Sequence, residues 1–430
     1  MDIKFRSIKG MNDILPSDSG RWILLENRLR RHFFAAGFKE IRTPILEYSE
    51  LFIRGIGQGT DIVDKEMYNF RDKDGEMITL RPEGTASVVR AAVENSLLQQ
   101  DPIQRLFYLG PMFRYERPQK GRLRQFHQFG AEIFGISDGS IDGELIYLGY
   151  SLLQKFGLNK DDFVIKINSL GCATCRKGFR AQLVDFLNSK RESLCEDCKR
   201  RIETNPLRVL DCKNESCKAI TSLAPRVLDF LCEDCSRHFQ EVKSSLEGFG
   251  VEYEVDHRLV RGLDYYSRTT FEIQVINNTL GSQNTVIAGG RYDSLFYDFI
   301  DKDYPAIGFA GGIERLLEVV GRDTLKDEEI FKISFISSAT NLNREDIRII
   351  ERLRENGIVV EMDISDKSFK AKFKRADRFG SNLTIIKGED ESKGGYYSLK
   401  DLRAAIDSAD KQFKVSRGDL VNEIMKRRGI

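Results

Sequence analysis

Residues 106 to 135, LFYLGPMFRYERPQKGRLRQFHQFGAEIFG, constrain this chain more than any other stretch. Two runs rich in aromatic and apolar residues, Leu106–Tyr115 and Gln125–Phe134, flank Glu116–Arg124, where Pro118 and Gly121 suit a chain reversal. The pattern is that of an antiparallel hairpin, and the domain that contains it must accommodate a largely antiparallel sheet. The hairpin loop is basic: Arg114, Arg117, Lys120, Arg122 and Arg124 put five positive charges within eleven positions. Cationic forks on a loop suit phosphate.

The flanking chain fits this frame. Ser17–Ala36 reads as a helix, with Trp22, Leu25, Leu29, Phe33 and Ala36 on one face and Ser17 or Ser19 as the cap. Phe38–Glu47 is extended and broken by Pro44, which suits an edge strand meeting a partner subunit. Ile53–Val63 carries Gly55, Gly57 and Gly59 but no GK[ST], so it is not a phosphate loop; a mobile surface loop and a lid over a small ligand both remain open. Met67–Phe70 and Met77–Leu80 read as strands, and Thr85 opens a helix directly after Glu83. Glu83 is either a charge at a helix N-terminus or a partner for a ligand ammonium. A helix over Asp142–Phe156 and strands at Phe163–Asn168, Tyr253–Val255, Leu259–Ile276 and Val286–Tyr292 follow. Ala306–Gly312 leads into a helix with Ile313, Leu316, Leu317 and Val320 on its apolar face and Arg315 off it. After the charged segment Gly321–Ile330, strand and helix alternate: Lys332–Ile336, Arg344–Asn356, Ile358–Met362, Phe369–Phe379, Asn382–Ile386 and a last helix within Ser416–Arg428. This predicts an α+β domain over 1–325 and a small α/β domain over 331–430.

All eight cysteines fall between Cys172 and Cys235, within an insertion spanning about 171–247. They form the pairs Cys172/Cys175, Cys195/Cys198, Cys212/Cys217 and Cys232/Cys235. Short-spaced pairs of this kind suit tetrahedral zinc, and eight thiolates suffice for two ions. Reduced thiols without metal and disulfides are the other readings. Phe179, Leu183, Phe186 and Leu187 recur at helical spacing between the pairs, so the insertion is expected to be helical. The N-terminal MDIKFRSIKGMNDILP lacks the apolar core of a secretory signal, and no apolar run approaches membrane-spanning length. A cytoplasmic protein without membrane attachment is expected. The net charge of +1 argues against a general nucleic-acid coat but leaves room for a local basic surface.

Five segments together resemble the histidyl-tRNA synthetase family of class II aminoacyl-tRNA synthetases. GFKEIRTPILE, with Pro44, resembles motif 1; FRYERPQKGRLRQFHQFGAE resembles motif 2; AIGFAGGIER resembles motif 3. LRPEGT at Leu80–Thr85 and LVRGLDYY at Leu259–Tyr266 resemble the histidine-specific signatures. The likeness runs from KGMNDILP to the C-terminal domain. It implies a class II catalytic domain on an antiparallel sheet, an anticodon-binding domain and a homodimer. It implies activation of L-histidine by ATP with Mg²⁺, then transfer to tRNA(His).

The resemblance also implies roles. Arg114, Arg261 and Arg315 are the expected catalytic arginines, with Arg114 and Arg261 at the α-phosphate and Arg315 near adenine and the γ-phosphate. Glu116 and Phe126 would hold adenine, and Arg122 the terminal phosphates. For histidine the implied set is Glu83, Gly84, Thr85, Arg114, Gln128, Glu132, Arg261, Tyr265 and Tyr266. Strand periodicity puts Gln128, Gly130 and Glu132 on one face, with glycine leaving space between two polar groups. Consecutive strand residues face opposite sides, so if both Tyr265 and Tyr266 line the pocket the backbone must turn between Arg261 and Tyr265. Arg117, Gln119 and Arg124 would meet the tRNA acceptor end. Lys370 and Lys374 belong to DKSFKAKFKRADR, a helix with Lys367, Lys370, Lys372, Lys374, Arg375 and Arg378 on a basic outer side. The zinc ligands do not come from the resemblance, because the family's insertion usually needs no metal. The main alternative is a catalytically inactive paralogue acting as a histidine-biosynthesis regulatory subunit; it typically lacks the C-terminal domain and degrades the signatures intact here.

Overall fold

The computed structural model describes residues 5–57, 60–260, 263, 265–276, 278–281, 284–325, 330–338, 342–403 and 411–428. The chain divides into two units, Met1–Leu325 and Lys326–Ile430.

The strands of the first unit are β1 (Lys39–Glu40), β2 (Leu46–Tyr48), β3 (Tyr68–Arg71), β4 (Met77–Leu80), β5 (Gln104–Phe113), β6 (Gln125–Phe134), β7 (Phe163–Ser169), β8 (Glu254–Val255), β9 (Ser267–Val275), β10 (Thr285–Arg291) and β11 (Ala306–Gly312). An 8-stranded sheet runs in the order β1-β5-β6-β11-β10-β9-β7-β8. Its two outer pairings, β1 with β5 and β7 with β8, are parallel, and every other pairing is antiparallel. The predicted hairpin is β5–β6, with Tyr108 opposite Gly130 and Leu106 opposite Glu132. The strands β2, β4 and β3 form a separate 3-stranded sheet. Pro44 separates β1 from β2, so the segment expected as one edge strand serves two sheets.

One face of the large sheet is apolar by alternation. Phe107, Phe129, Ile133, Phe271 and Phe309 are buried with Leu25, Leu29 and Phe33 of the helix Pro16–Ala35. Phe33 stacks on Phe107 at 4.9 Å and lies 6.3 Å from Phe309, so one ring joins the helix to two strands. Burial of each such side chain contributes about 1.5–3 kcal/mol. Pro16 occupies the first turn of this helix and no side chain caps it, in place of the expected serine cap. The helix Gly139–Lys155 starts earlier than expected because Asp138 caps it through Ser140 N–H. A carbonyl of that helix, Leu148, lies 3.0 Å from Nε2 of buried His32.

In Ile53–Val63, where a mobile loop or a lid is expected, one helix ends at Ile56 and a π-turn starts at Ile62, with Gly57 and Thr60 outside regular structure. The helix Ser49–Ile56 and a five-residue π-turn, Ile62–Glu66, bury Phe52, Ile56 and Ile62 against Ala86, while Gly59 lies outside the described residues.

The second unit has β12 (Lys332–Ser337), β13 (Val359–Asp363), β14 (Leu383–Lys387), β15 (Tyr396–Asp401) and β16 (Gln412–Ser416) in the order β13-β12-β14-β15-β16. The first three are parallel, and β15 and β16 add antiparallel. The helix Phe369–Phe379 exposes Lys370 and Lys374 as expected, but Lys372 is turned inward. Its ammonium donates to the carbonyl of Ser337 at the end of β12. The buried stripe of this helix is Lys372 and Ala376, four apart, so the lysine shares the inward face.

Candidate active site

A cleft of about 1320 Å³ opens over the polar face of β6. Period-two geometry puts Phe126, Gln128, Gly130 and Glu132 on that face. Phe126 and Gln128 line the cleft. Glu132 is fully buried beneath it, and its depth is set across the strand. The Tyr108 ring fills the space left by Gly130: a Cβ on Gly130 would meet it at 2.4 Å, and one on Gly84 at 2.2 Å. The glycines therefore admit a tyrosine of the protein itself, not a ligand. Glu132 accepts from the Thr85 hydroxyl at 2.8 Å and from the Tyr292 hydroxyl. It lies beneath the cleft floor and meets the lining through Thr85.

Burial raises the Glu132 pKa well above the ordinary carboxyl value, against the opposing effect of those hydroxyls. The folded protein then holds a proton that the unfolded chain releases once pH exceeds its normal carboxyl pKa. Stability from this group is full below that point and falls as pH rises towards the folded pKa. The Glu132→Gln variant should therefore gain stability relative to the parent as pH rises above the ordinary carboxyl range; an unfolding free-energy difference between the two proteins that does not change with pH would refute the protonated state.

At the inner end, Glu83 accepts the N–H groups of Thr85 at 2.7 Å and Ala86 at 2.8 Å, where the helix Thr85–Glu94 begins with Gly84 as its cap residue. Burial raises its pKa and the amides and Arg114 oppose the rise. Its carboxylate still lines the cleft. Tyr265 and Tyr266 both line the cleft, with ring centroids 4.7 Å apart. Regular strand begins only at Ser267, and Tyr265 sits in a turn, so the alternation rule does not apply to the pair. Arg261 lies outside the described residues. The Gln128 Oε1 and the Tyr265 hydroxyl are buried with no hydrogen-bond partner among the described residues. Such groups are costly unless something completes them, at about 1–3 kcal/mol each.

At the outer end stand three arginines. Arg114 Nε donates to the Pro82 carbonyl at 2.9 Å, and its guanidinium lies 5.3 Å from the Phe126 ring centroid. No carboxylate pairs with it among the described residues. Arg122 lies 3.2 Å from the Glu116 carboxylate. Arg315 Nε donates to Gly121 at 3.0 Å and Nη1 to Thr285 at 2.9 Å, which ties the hairpin loop to β10. Burial lowers the Arg315 pKa, and the charges of Arg122 and Arg114 lower it further. Three crowded cations favour a polyanion between them.

The loop tip is a tight turn. Gln119 and Arg122 exchange backbone hydrogen bonds, with Gly121 between them at φ +74°. Arg117 and Gln119 are exposed. Arg124 is drawn inward: it lies 3.8 Å from the Tyr115 ring centroid and donates to the Glu116 carbonyl at 3.1 Å.

Two groups escaped the sequence reading. Glu272 lines the cleft and accepts from the Thr285 hydroxyl at 2.8 Å. Glu314 receives the backbone N–H of His127 at 2.9 Å and lies 2.9 Å from its Nδ1, fixing the start of β6 to the helix Ile313–Val319. Glu272 is brought there by the pairing of β9 with β10 and Glu314 by that of β6 with β11, registers that a single sequence does not state.

Comparison with known proteins agrees with this geometry. The family model for histidyl-tRNA synthetase matches residues 10–316, and an anticodon-binding domain model matches 319–427. The chain is 45% identical to the histidine–tRNA ligase of Halothermothrix orenii, covering 99% of this chain and 100% of that protein. It is 48% identical to that of Geobacter metallireducens, over 91% of this chain and 94% of the relative. The crystal structure of apo histidyl-tRNA synthetase from S. aureus matches with a TM-score of 0.77 and 34% identity, covering 98% of this chain and 99% of that one. The chain belongs to the histidyl-tRNA synthetase family.

Proposed function

We propose that this protein is a histidine–tRNA ligase and that the cleft over β6 carries out both of its steps. The family uses ATP with a divalent metal, and histidine and tRNA are its other substrates. In the first step a histidine carboxylate oxygen bonds to the α-phosphorus of ATP, the α–β bridge breaks and pyrophosphate leaves. In the second, the terminal adenosine of tRNA(His) takes the histidyl group and AMP departs.

Neither step needs a nucleophile from the enzyme; both need fixed geometry and positive charge where charge develops. Arg114, the arginine of the outer end whose Nε reaches back to the Pro82 carbonyl beside Glu83, is assigned to the histidine carboxylate and the α-phosphate. Arg122 and Arg315 are assigned to the outer phosphates, and Glu116 and Phe126 to adenine. Arg261 is assigned to the α-phosphate on the resemblance alone. Glu83 takes the α-ammonium, and Tyr266 packs beside the ring. Gly84 and Thr85 shape the floor. Mg²⁺ would offset phosphate charge among these groups, with Glu272 of the cleft lining as a carboxylate that would help to hold it. The tRNA would meet Arg117, Gln119 and Arg124 at the hairpin and Lys370 and Lys374 in the second unit. Zinc is proposed for the eight cysteines, as argued below.

The observation that carries the amino-acid assignment is the unpartnered pair, Gln128 Oε1 and the Tyr265 hydroxyl, between an acidic and a cationic end. An imidazole N–H completes Gln128 and its other nitrogen completes Tyr265. Sites that leave polar groups bare discriminate by about 10⁴ or more against analogues lacking the match. Pyrophosphate exchange assayed with each of the twenty amino acids should show histidine alone. Exchange with another amino acid and none with histidine would overturn the reading, and no exchange with any would favour the regulatory paralogue.

A homodimer is proposed through the small sheet. Its register places Leu46, Tyr48 and Phe70 on one face, and all three are exposed. A cluster of exposed apolar side chains on a strand face suits a partner. No described helix is long and apolar enough to cross a membrane.

A further inference from the structure

The insertion brings its cysteines together in two groups of four. Cys172, Cys175, Cys232 and Cys235 form one, and Cys195, Cys198, Cys212 and Cys217 the other; within each, all sulfurs lie within 4.8 Å of one another. The outermost sequence pairs thus combine, and the inner pairs combine inside them. Cys172 and Cys175 sulfurs are 3.5 Å apart, Cys172 and Cys232 4.0 Å, and Cys195 and Cys212 3.8 Å. All eight thiols are free. With Zn–S bonds of about 2.3 Å, the edge of a tetrahedron of sulfurs is about 3.8 Å.

Local structure repeats the same device. Cys172, Cys195 and Cys232 are each the residue before a helix, and their partners three residues on face the same way. Backbone N–H groups bond the sulfurs: Cys232 N–H donates to Cys175 at 3.1 Å and Cys195 N–H to Cys217 at 3.3 Å. Such bonds orient thiolate ligands around a metal.

The first cluster is joined directly to the segment carrying the tyrosines. Gly171 turns at φ +64°, and a Cβ there would meet Cys175 at 2.5 Å. Its carbonyl accepts from Arg268 N–H at 3.0 Å, and Leu170 N–H donates back to Arg268 at 2.6 Å. Arg268 itself holds φ +49°, two residues after Tyr266. From the next turn of the cysteine helix, Arg176 donates to the Tyr266 carbonyl at 3.2 Å. The second cluster lies elsewhere on the rim: Cys212 lines the cleft, with no hydrogen bond to Tyr265 or Tyr266 among those described.

We propose that each cluster holds one structural zinc ion, and that the Cys172 centre locks the Tyr265–Tyr266 segment in its histidine-binding position. The locking role rests on the assignment of the cleft to histidine; the metal sites do not. Loss of the first ion frees Gly171 and Arg176, and with them the backbone under Tyr266. Loss of the second loosens the rim without touching that backbone.

Purified full-length protein should contain about two zinc ions per chain by elemental analysis, and no iron. The Cys175→Ser/Cys235→Ser variant should retain one ion and show a KM for histidine raised about tenfold or more, with the KM for ATP nearly unchanged. The Cys198→Ser/Cys217→Ser variant should also retain one ion and keep its KM for histidine within about threefold. Cys235→His, which preserves a zinc ligand, should restore both the metal and the KM. If a serine variant fails to fold, histidine binding to chelator-treated wild type, measured by calorimetry at unchanged helix content, should weaken about tenfold and recover with added zinc; unchanged binding would overturn the lock. Zinc below about half an ion per chain, or iron in its place, overturns the metal sites. Zinc at full occupancy with an unchanged histidine KM in the first variant overturns the lock while leaving the sites intact. Absence of histidine-dependent exchange in the fully loaded wild type would instead refute the cleft assignment.

Discussion

Replacing Arg114 by alanine should lower histidine-dependent pyrophosphate exchange by about 10³-fold. The protein should keep its fold, because the side chain contributes one hydrogen bond to Pro82 and a contact with Phe126. Losing a bond of this kind costs about 0.5–1.5 kcal/mol. The catalytic loss is far larger because the guanidinium has no carboxylate partner among the described residues and is assigned to the point where the two anions meet. Arg114→Lys should not rescue the rate: an ammonium supplies charge but not the planar fork that spans a carboxylate and a phosphate. Single-turnover adenylate formation with matched thermal melts checks both statements. Wild-type rates in Arg114→Ala would remove the residue from the chemistry.

The largest effect on stability is expected far from any substrate. Arg291, at the end of β10, and Asp142, in the helix Gly139–Lys155, are both fully buried. The guanidinium donates through Nη2 and Nε to the two Asp142 oxygens, the Nε bond at 3.2 Å, and through Nη1 to Ile136 at 3.0 Å and Asp293 at 3.2 Å. Arg291→Met should destabilise the first unit by about 3–5 kcal/mol, because it leaves buried carboxylates without their cation. Arg291→Met combined with Asp142→Leu should recover much of that loss, since replacing both members of a buried pair is often close to neutral. Guanidinium denaturation of the three proteins tests this. Equal loss in the single and double variants would show that the pair contributes through shape and not charge. Tyr292 follows Arg291 and donates to Glu132, so the single variant should also raise the KM for histidine.

The parts of the site legible in the sequence depend on alternation and local geometry. The β5–β6 hairpin, the helix after Glu83 and the placing of Arg114 and Arg315 along the cleft follow from runs of about ten residues or from motif spacing. Depth is a different kind of information. Gln128 and Glu132 share a face, yet one lines the cleft and the other lies under it, because a tyrosine on the neighbouring strand covers Gly130. Lys372 was misplaced for a related reason: its charge suggests solvent, but a strand-end carbonyl within reach of its stem draws it inward. Gly55 and Gly57 suggest a loose loop, whereas Phe52, Ile56 and Ile62 on either side of it are buried in one cluster. The strands β15 and β16 escape the sequence because YYSLKD buries three consecutive residues and QFKVS only Val415, so neither shows the alternation of a strand. The cysteine spacing pointed to metal, but only folding reveals which pair joins which.

Strand β6 also acts as a ruler. Phe126, assigned to the nucleotide, and Gln128, assigned to the amino acid, are successive residues on the same face, about 6.8 Å apart along the strand. The two recognition tasks are therefore modular: one position can be rewritten while its neighbour is left alone. An enzyme with altered amino-acid choice and an untouched ATP requirement is best sought by randomising Gln128 and Tyr265 together. A one-residue insertion anywhere between Gln125 and Gln128 would instead scramble both readouts at once.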